Sequence, residues 1–312
     1  MSERVVLLCP GQGAQAVGMG RAWLERSAEA RQVFEEADRI LGDELGAPLS
    51  RLCFEGPADR LNQTDVSQPA IFVSSVASWR AVLALKGLGA NDLTPVCVAG
   101  LSLGEYTALH LAGAIGFEDA LRVVTLRGRA MQDAAISTPS GMVALIGADE
   151  AQAMALCEAS RQGEVLVSAN FNAPGQVVIS GSKGACERAV GKASEMGLRA
   201  QPLPVAGAFH SPIMAPAAER LAGALAGVEI RRPRCPVLSN VTGEPHGEEA
   251  SGIRRLLVEQ VCSPVRWEAN CRWILSHVQG EWHELAPGKT LAGLMRRIDR
   301  AAKVVSHDTP EG

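Results

Sequence analysis

The stretch Gly100-Leu101-Ser102-Leu103-Gly104 decides how this sequence is interpreted. It follows the apolar run Val96-Cys97-Val98-Ala99 and precedes a stretch with helical character, Glu105 to Leu111. A strand, a tight turn with glycine on each side of a serine, and then a helix form the arrangement called a nucleophile elbow. The glycines are needed because such a sharp turn leaves no room for a Cβ two residues before or after the serine. The turn lifts the serine oxygen clear of the sheet.

The same turn places backbone donors where a negatively charged oxygen could be stabilised. The amide of Leu103 lies at the start of the following helix, whose N-terminus carries partial positive charge. A second amide would come from Gly11-Gln12-Gly13, the loop after the first predicted strand. Gln12 is the natural choice because glycine on both sides lets its backbone approach a ligand closely. The alternative is an ordinary glycine-rich turn in which Ser102 merely caps a helix.

The composition is that of an ordinary globular chain and excludes several classes of partner. The 312 residues are 47% apolar and 21% charged, and the formal net charge of −4 offers no basic field to nucleic acid or membrane. The sequence predicts neither a signal peptide nor an apolar segment able to span a bilayer. The eight cysteines are scattered and the six histidines do not cluster with them, which predicts reduced thiols in the cytoplasm and no metal site.

Alternating strand and helix patterns predict an α/β fold. Helices are predicted over about 28–41, 68–85 (amphipathic), 117–135, 253–261, 267–278 and up to 298, and strands over 5–9, 236–240, 281–285 and 303–306, before a disordered polar tail. The segment from 141 to 204 instead reads strand–helix–strand–strand–helix–strand, an order that can close a small sheet of its own. We therefore expect a core formed by residues 1–138 and 205–312, with residues 139–204 inserted as a second unit.

A serine needs an adjacent base to act as a nucleophile, and two histidines compete for that role. His210 lies in Gly207-Ala208-Phe209-His210-Ser211-Pro212, a loop just after the inserted unit that its glycine and proline make rigid. His283 lies near the C-terminal end, where ordinary α/β-hydrolases keep their base, but within a predicted strand. Burial for packing is the favoured interpretation of His283, so the pattern favours His210.

Arg127 lies on the predicted helix 117–135, among small and apolar residues. A guanidinium that faces a pocket would hold a carboxylate through two parallel hydrogen bonds. Arg122 and Arg129 lie on the same helix and are expected to be solvated, but composition does not choose among the three.

Taken together, these segments resemble the malonyl-CoA:acyl carrier protein transacylase family, which includes the acyltransferase domains of polyketide synthases. The resemblance covers nearly the whole chain and rests on GQGAQ at 11–15, GLSLGE at 100–105, LRGRAMQ at 126–132, NFNAPGQVVISG at 170–181, GAFHSPIM at 207–214, Gln260 followed by SPVRW, and ELAPGKTLAGL at 284–294. It implies an α/β-hydrolase-like core that carries an inserted ferredoxin-like (βαββαβ) subdomain.

The resemblance also implies a role for each matching residue. Ser102 would be the acyl-accepting nucleophile and His210 its base, with the main-chain carbonyl of Gln260 orienting the histidine, so no triad aspartate is expected. The other roles would be the oxyanion amides at Gln12 and Leu103, the malonate carboxylate site at Arg127, and further substrate-binding residues at Phe209, Asn172 and Met131. Phe209 resembles the malonyl-selective form of the family. Leu101 departs from the histidine that many relatives have before the nucleophile.

The implied reaction is ping-pong transfer of a malonyl group from malonyl-CoA, through an acyl-serine, to the phosphopantetheine thiol of an acyl carrier protein. It implies no cofactor, no nucleic acid and no membrane, in a cytoplasmic enzyme expected to be a monomer, and leaves both fatty acid and polyketide synthesis open. The alternatives are a thioester hydrolase using His283, a branched-extender acyltransferase and a non-catalytic docking module. Docking of an acidic carrier would use basic residues such as Arg231, Arg232 and Arg234, or Arg254 and Arg255.

Overall fold

The computed structural model describes residues 4–311, which form two four-stranded sheets and the helices around them. The strands are β1 Val5–Cys9, β2 Cys97–Gly100, β3 Ser140–Ile146, β4 Leu166–Ala173, β5 Gln176–Ser182, β6 Arg199–Pro202, β7 Glu281–Leu285 and β8 Val304–His307. The α-helices are α1 Arg21–Arg26, α2 Ala28–Leu41, α3 Leu49–Glu55, α4 Ala58–Leu61, α5 Thr64–Leu85, α6 Gly104–Leu111, α7 Phe117–Ser137, α8 Glu150–Arg161, α9 Lys183–Ala193, α10 Ala215–Ala226, α11 Ala250–Gln260, α12 Trp267–His277 and α13 Thr290–Ile298. The predicted α/β class is confirmed.

The first sheet has the order β2-β1-β7-β8, and all of its neighbouring strands are parallel. Every residue of β1 is fully buried, because helices cover both faces of a parallel sheet and its central strands become continuous apolar runs. Cys9 at the end of β1 pairs with Gly100 at the end of β2. The loops that follow these two strands therefore leave the same edge of the sheet side by side.

The second sheet has the order β4-β5-β3-β6 and is antiparallel throughout. With α8 and α9 it forms the strand–helix–strand–strand–helix–strand order that the sequence predicts. It has a hydrophobic core of its own, formed by residues between Val143 and Leu198. Its strand β4 is joined to the core by backbone hydrogen bonds from Phe171 N to Val265 O (2.9 Å) and from Val265 N to Ala169 O (2.8 Å).

Helix α5 differs from its prediction in both extent and character. It begins at Thr64 rather than near residue 68, contains Pro69 in its interior, and is buried on almost all sides rather than amphipathic. The sequence-based expectation that no segment could span a bilayer is wrong as stated, because Thr64–Leu85 is long and apolar enough, with a mean hydropathy of 1.2. However, 83% of its most apolar window is buried inside the protein, which is the position of a core helix.

Two other predictions in the C-terminal third are wrong. Residues 236–240 do not form a strand, because Val237 makes only an isolated bridge to Val98. The tail is ordered further than expected, since β8 includes His307 and two contacts hold its end. The His307 carbonyl accepts a hydrogen bond from Trp23 Nε1 (2.8 Å), and the Asp308 carboxylate accepts one from Gly288 N (2.6 Å).

Candidate active site

Ser102 occupies a strained turn between β2 and α6. Its φ of 53° is in the left-handed region, which only Gln162 and His210 share among the described non-glycine residues. A Cβ on Gly100 would overlap the backbone of Gly104, and one on Gly104 would overlap the carbonyl of Cys9. The predicted requirement for glycine on both sides of the serine is therefore confirmed. Strain of this kind persists where the surroundings hold it, and it is common at functional sites.

The imidazole of His210 lies between Ser102 and Gln260. Its Nε2 is 2.8 Å from Ser102 Oγ, and its Nδ1 is 2.8 Å from the main-chain oxygen of Gln260. Because a carbonyl oxygen can only accept, Nδ1 carries the hydrogen and Nε2 is left as an acceptor for the serine hydroxyl. A serine with such a neighbour can give up its proton as it attacks a carbonyl carbon.

The His210 imidazole is kept neutral by its surroundings. Burial lowers its pKa to about 4, and the charge of Arg127 lowers it in the same direction, against the opposing effect of backbone groups at Gln260 and Ser263. At neutral pH the ring is therefore in the proton-accepting form.

Arg127 is buried beside the serine, with only 1% of its surface exposed. Its Nη1 donates to Gln68 Oε1 (2.7 Å), and its Nη2 donates to Gln260 Oε1 (2.9 Å) and to Ser102 Oγ (3.1 Å). The ring of Tyr106 lies 5.3 Å from the guanidinium carbon. All of these partners are neutral and, among the described residues, Nε has no hydrogen-bond partner, so direct contacts leave the charge of the guanidinium unbalanced.

The other two arginines of α7 are at the surface, as the sequence predicts. Arg122 pairs with Glu118 and Arg129 with Glu44, each with a side chain at least 40% exposed. Burial lowers the pKa of Arg127, while Tyr106 and Glu105 raise it. A guanidinium nevertheless stays charged in proteins, so Arg127 places a positive charge in the protein interior.

A cavity of about 560 Å³ opens above Ser102 between the two sheets. The core contributes Gln12, Leu103, Arg127, Met131, Phe209 and His210 to its lining, and the second sheet contributes Asn172. The structure thus brings together all of the residues that the sequence singled out for the site, with Gln260 directly behind the histidine. The buried side-chain oxygen of Asn172 has no hydrogen-bond partner in the part of the chain that the structure describes.

The two loops expected to supply oxyanion amides lie against each other. Leu101 N donates to Cys9 O (3.1 Å), and a Cβ on Gly11 would overlap the carbonyl of Leu101. Glycine at position 11 therefore lets the Gln12 loop approach the serine turn. Leu103 directly precedes α6, at the positive end of that helix. An oxygen in the cavity above Ser102 would face this end of the helix.

His283 lies away from the cavity, within β7 and 5% exposed. Its ring stacks on His307 at a centroid distance of 5.1 Å, and its Nδ1 lies 2.8 Å from His307 Nε2. The interpretation of His283 as a buried packing residue is confirmed.

The arginines considered for carrier docking already have partners within the chain. Arg231, Arg232 and Arg255 pair with Glu229, Glu248 and Glu259, while Arg254 donates to the carbonyls of Leu225 and Val228, and Arg234 to Asn91. None of the five lines the cavity. Their use in docking stays a prediction.

Sequence reasoning missed a group of buried polar residues beneath the serine. Glu105, Asn240 and His246 are at most 9% exposed and are linked by hydrogen bonds. A carboxylate early in an otherwise apolar helix was the available signal for Glu105. Nothing in the local sequence marks the other two, because their contacts form only on folding. Within residues 4–311 no group of three or more His, Cys, Asp or Glu could hold a metal ion.

Comparison with known proteins gives consistent matches over nearly the whole chain. Residues 6–292 match the acyl transferase domain family. The chain is 42% identical over 290 residues to a malonyl CoA-acyl carrier protein transacylase of Salmonella typhimurium, covering 93% of this chain and 91% of the relative. The solved transacylase of that name from Coxiella burnetii superposes with a TM-score of 0.92 at 36% identity, covering 100% and 96% of the two chains. A malonyl-transacylase solved in complex with its type II polyketide synthase acyl carrier protein matches with a TM-score of 0.91 at 38% identity, covering 99% and 97%.

Proposed function

The chain belongs to the malonyl-CoA:acyl carrier protein transacylase family, and we propose that it transfers a malonyl group from malonyl-CoA to the phosphopantetheine thiol of an acyl carrier protein. One observation carries the proposal. The Ser102 hydroxyl lies 2.8 Å from the His210 imidazole and 3.1 Å from the Arg127 guanidinium at the base of the cavity. A nucleophile beside a buried cation suits a thioester whose acyl chain ends in a carboxylate.

In the first half-reaction Ser102 Oγ attacks the thioester carbonyl while His210 Nε2 takes its proton. The bond to sulfur then breaks, and His210 returns the proton to the departing CoA thiol. A malonyl ester of Ser102 remains. The carbonyl oxygen becomes negatively charged on the way, and the amides of Leu103 and Gln12 would stabilise it.

In the second half-reaction the thiol of the carrier's phosphopantetheine attacks the ester. His210 accepts the thiol proton and passes it to Ser102 Oγ as the ester bond breaks. Both substrates end in the same kind of arm, so the single cavity between the sheets serves both halves of the reaction in turn. This order of events is the ping-pong scheme.

Selectivity for malonyl groups would come from Arg127. The guanidinium is held by amide oxygens and a hydroxyl rather than by a carboxylate, so its charge is not neutralised by direct contact. A malonyl carboxylate would supply that missing charge, whereas an acetyl group would leave a buried cation without it. Asn172 and Met131 would line the acyl chain, and Phe209 would limit its width.

The finer description of the fold is part of the same proposal. Residues 1–138 and 205–312 would form an α/β-hydrolase-like core around the parallel sheet, and residues 139–204 a ferredoxin-like subdomain. The separate hydrophobic core of the second sheet supports this division. We further propose a cytoplasmic monomer without a resident cofactor, for which malonyl-CoA is a substrate. Its net charge of −4 supports the proposal that it binds neither nucleic acid nor membrane.

The experiment is intact-mass analysis of the protein mixed with malonyl-CoA, followed by addition of a carrier protein bearing its phosphopantetheine arm. We expect a stoichiometric malonyl adduct on Ser102 that moves to the carrier. The Ser102→Ala variant is the control and should give no adduct. An adduct on another residue, or one that water removes before the carrier does, would overturn the proposal.

A further inference from the structure

Glu105 is a carboxylate beneath the serine turn, with no exposed surface. It accepts three hydrogen bonds. His246 Nε2 lies 2.6 Å from its Oε1, while Gln260 Nε2 (2.6 Å) and Asn240 N (3.0 Å) donate to its Oε2. Burial of a carboxylate is costly unless it is fully hydrogen-bonded, and well-packed apolar side chains often stabilise a fold at least as well. Stability alone therefore does not explain why a carboxylate occupies this buried position.

One set of hydrogen bonds, the first arm of this network, runs from Glu105 through Asn240 to the nucleophile Ser102. Asn240, whose main-chain N–H is fixed by Glu105, accepts a hydrogen bond from Ser102 N through its Oδ1 (2.6 Å). Its Nδ2 donates to Gly100 O (2.8 Å), so one side chain holds both ends of the turn. Ser102 has a left-handed backbone, which is unfavourable for serine and must be held by its surroundings.

A second set of hydrogen bonds, the second arm, runs from Glu105 through Gln260 to the base His210 and the cation Arg127. A side-chain amide can present either its oxygen or its NH₂ group to a given neighbour. The Glu105 carboxylate and the main-chain oxygen of Ser102 only accept, so Gln260 turns Nε2 towards both (2.6 and 3.0 Å), and this leaves Oε1 facing Arg127 Nη2 (2.9 Å). The main-chain carbonyl of the same glutamine accepts from His210. Gln260 therefore joins the acid, the base and the cation.

We propose that Glu105 is the positioning residue of this site. Through Asn240 it fixes Ser102, and through Gln260 it fixes the direction of Arg127. His246 holds the carboxylate from its other oxygen. Among residues 4–311, His210 is hydrogen-bonded to Ser102 and to the Gln260 carbonyl rather than to an acidic side chain, so Glu105 acts indirectly, on the groups that hold the reacting residues. This inference rests on the proposed function, because it concerns the selectivity of that same site.

The test is Glu105→Gln, which keeps the shape but replaces one acceptor by a donor. The amide keeps one acceptor oxygen for Gln260 Nε2 and Asn240 N, but these two hydrogen bonds lose the carboxylate charge that strengthens them, so Ser102 and Arg127 are both held less firmly. We expect kcat/KM for malonyl-CoA to fall about 10- to 100-fold, the range for losing a hydrogen bond to a charged group. The ratio of malonyl to acetyl loading should fall with it. A purely structural role would lower the thermal midpoint and leave that ratio unchanged.

Glu284→Gln is the matched control. Glu284 is also an acidic side chain without exposed surface, and burial raises its pKa to about 7. Its carboxyl oxygens accept from the main-chain amides of Leu291 and Ala292, which are not residues of the proposed site. We expect this variant to lower the thermal midpoint and to keep the malonyl-to-acetyl ratio of the unmodified protein.

Two further variants test the two arms separately. They also test the positioning role of Glu105 if the Glu105→Gln variant does not fold. Asn240→Ala should slow labelling of Ser102 by a neutral fluorophosphonate without changing the malonyl-to-acetyl ratio. Gln260→Leu keeps the main-chain carbonyl for His210 but removes the hydrogen bonds to Arg127 and to Ser102 O, so it should lower the ratio. Ser102 N keeps its hydrogen bond to Asn240 in this variant, so labelling should slow less than in Asn240→Ala. Equal effects of both variants on labelling and on the ratio would overturn the division into two arms.

The unmodified protein tests the proposed function separately from the role of Glu105. If it forms no malonyl-serine, the proposed function fails. If it loads malonyl selectively and a folded Glu105→Gln variant keeps both kcat/KM and the ratio, the function stands and Glu105 has no positioning role.

Discussion

His210 and His283 are both buried histidines, yet their surroundings differ in every respect that matters for chemistry. His210 has a left-handed backbone, a carbonyl oxygen on one ring nitrogen and a serine hydroxyl on the other. His283 lies in a regular strand and stacks on a second imidazole. Burial alone therefore does not make a histidine a base. One partner must fix the tautomer, and the other must be a group that can react.

The largest expected effect separates these two regions directly. Ser102→Ala or His210→Ala should lower the rate of malonyl transfer on the order of 10⁶-fold, the size found when a nucleophile or its base is removed. His283→Ala should leave acylation of Ser102 intact, because its ring does not reach the cavity. The measurement is single-turnover formation of the malonyl adduct by quenched mass analysis. Loss of the adduct in His283→Ala with retention in His210→Ala would reverse the assignment of the base.

The next effect concerns Arg127, the buried cation that lies beside Ser102 and His210. Arg127→Ala should lower the ratio of malonyl to acetyl loading by roughly 10⁴-fold, the range for a site that loses the partner of a buried polar group. Competition between the two CoA esters, followed by mass analysis of the loaded carrier protein, measures this ratio. Arg122→Ala, on the exposed face of the same helix, is the control. A ratio that stays the same in Arg127→Ala would remove the carboxylate-binding role.

A third effect concerns pH. With the pKa of His210 lowered to about 4 by burial and by Arg127, the ring stays neutral as the pH falls from 7 to 5, and acylation should be flat over that range. An imidazole with an ordinary pKa near 6.5 would lose about 30-fold of its neutral form at pH 5. Arg127→Ala removes the second cause, so the acid limb should move to higher pH. Labelling of Ser102 by a neutral fluorophosphonate at each pH tests this. A limb near pH 6.5 in the unmodified protein would contradict the burial argument.

The smallest effect belongs to the other region. His283→Leu should cost about 1 kcal/mol of unfolding free energy, the size of one lost hydrogen bond, and leave kcat unchanged. Burial, and then the interaction with His283, lower the pKa of His307 to about 4, so the His307 ring is neutral at neutral pH. Urea unfolding with a parallel activity assay measures the two quantities. A large loss of kcat without loss of stability would show that this region contributes to the reaction.

The parts of the molecule that the sequence predicts well are those with local requirements. Strands β1 and β7 and helix α2 have the predicted bounds, because each is a periodic apolar stretch with clear end signals. The serine turn was predictable because only glycine fits beside it. The amphipathic character of helix α5 was predicted wrongly, because the local sequence does not show that other elements will pack against every side of the helix. Its apparent polar face is as buried as its apolar one.

The buried network could not be predicted for a related reason. The contacts that Glu105 makes with Asn240 and His246 join residues 135 and 141 positions apart. No periodicity or motif links such positions, and each residue type alone is ordinary at a surface. Motifs therefore indicated the residues that would touch the substrate and Gln260, which holds the histidine, whereas the contacts of Glu105 with Asn240 and His246 became visible only in three dimensions.

The crowding of Gly100 and Gly104 against neighbouring backbone has a consequence for mutational screens. Any side chain at these positions would displace main-chain atoms of β1 or α6, so every substitution should remove the enzyme by preventing the fold. A survival screen would then score these glycines and the reactive serine alike. Only a screen that also counts folded protein in each cell would separate the residue that performs chemistry from the two that leave space for it.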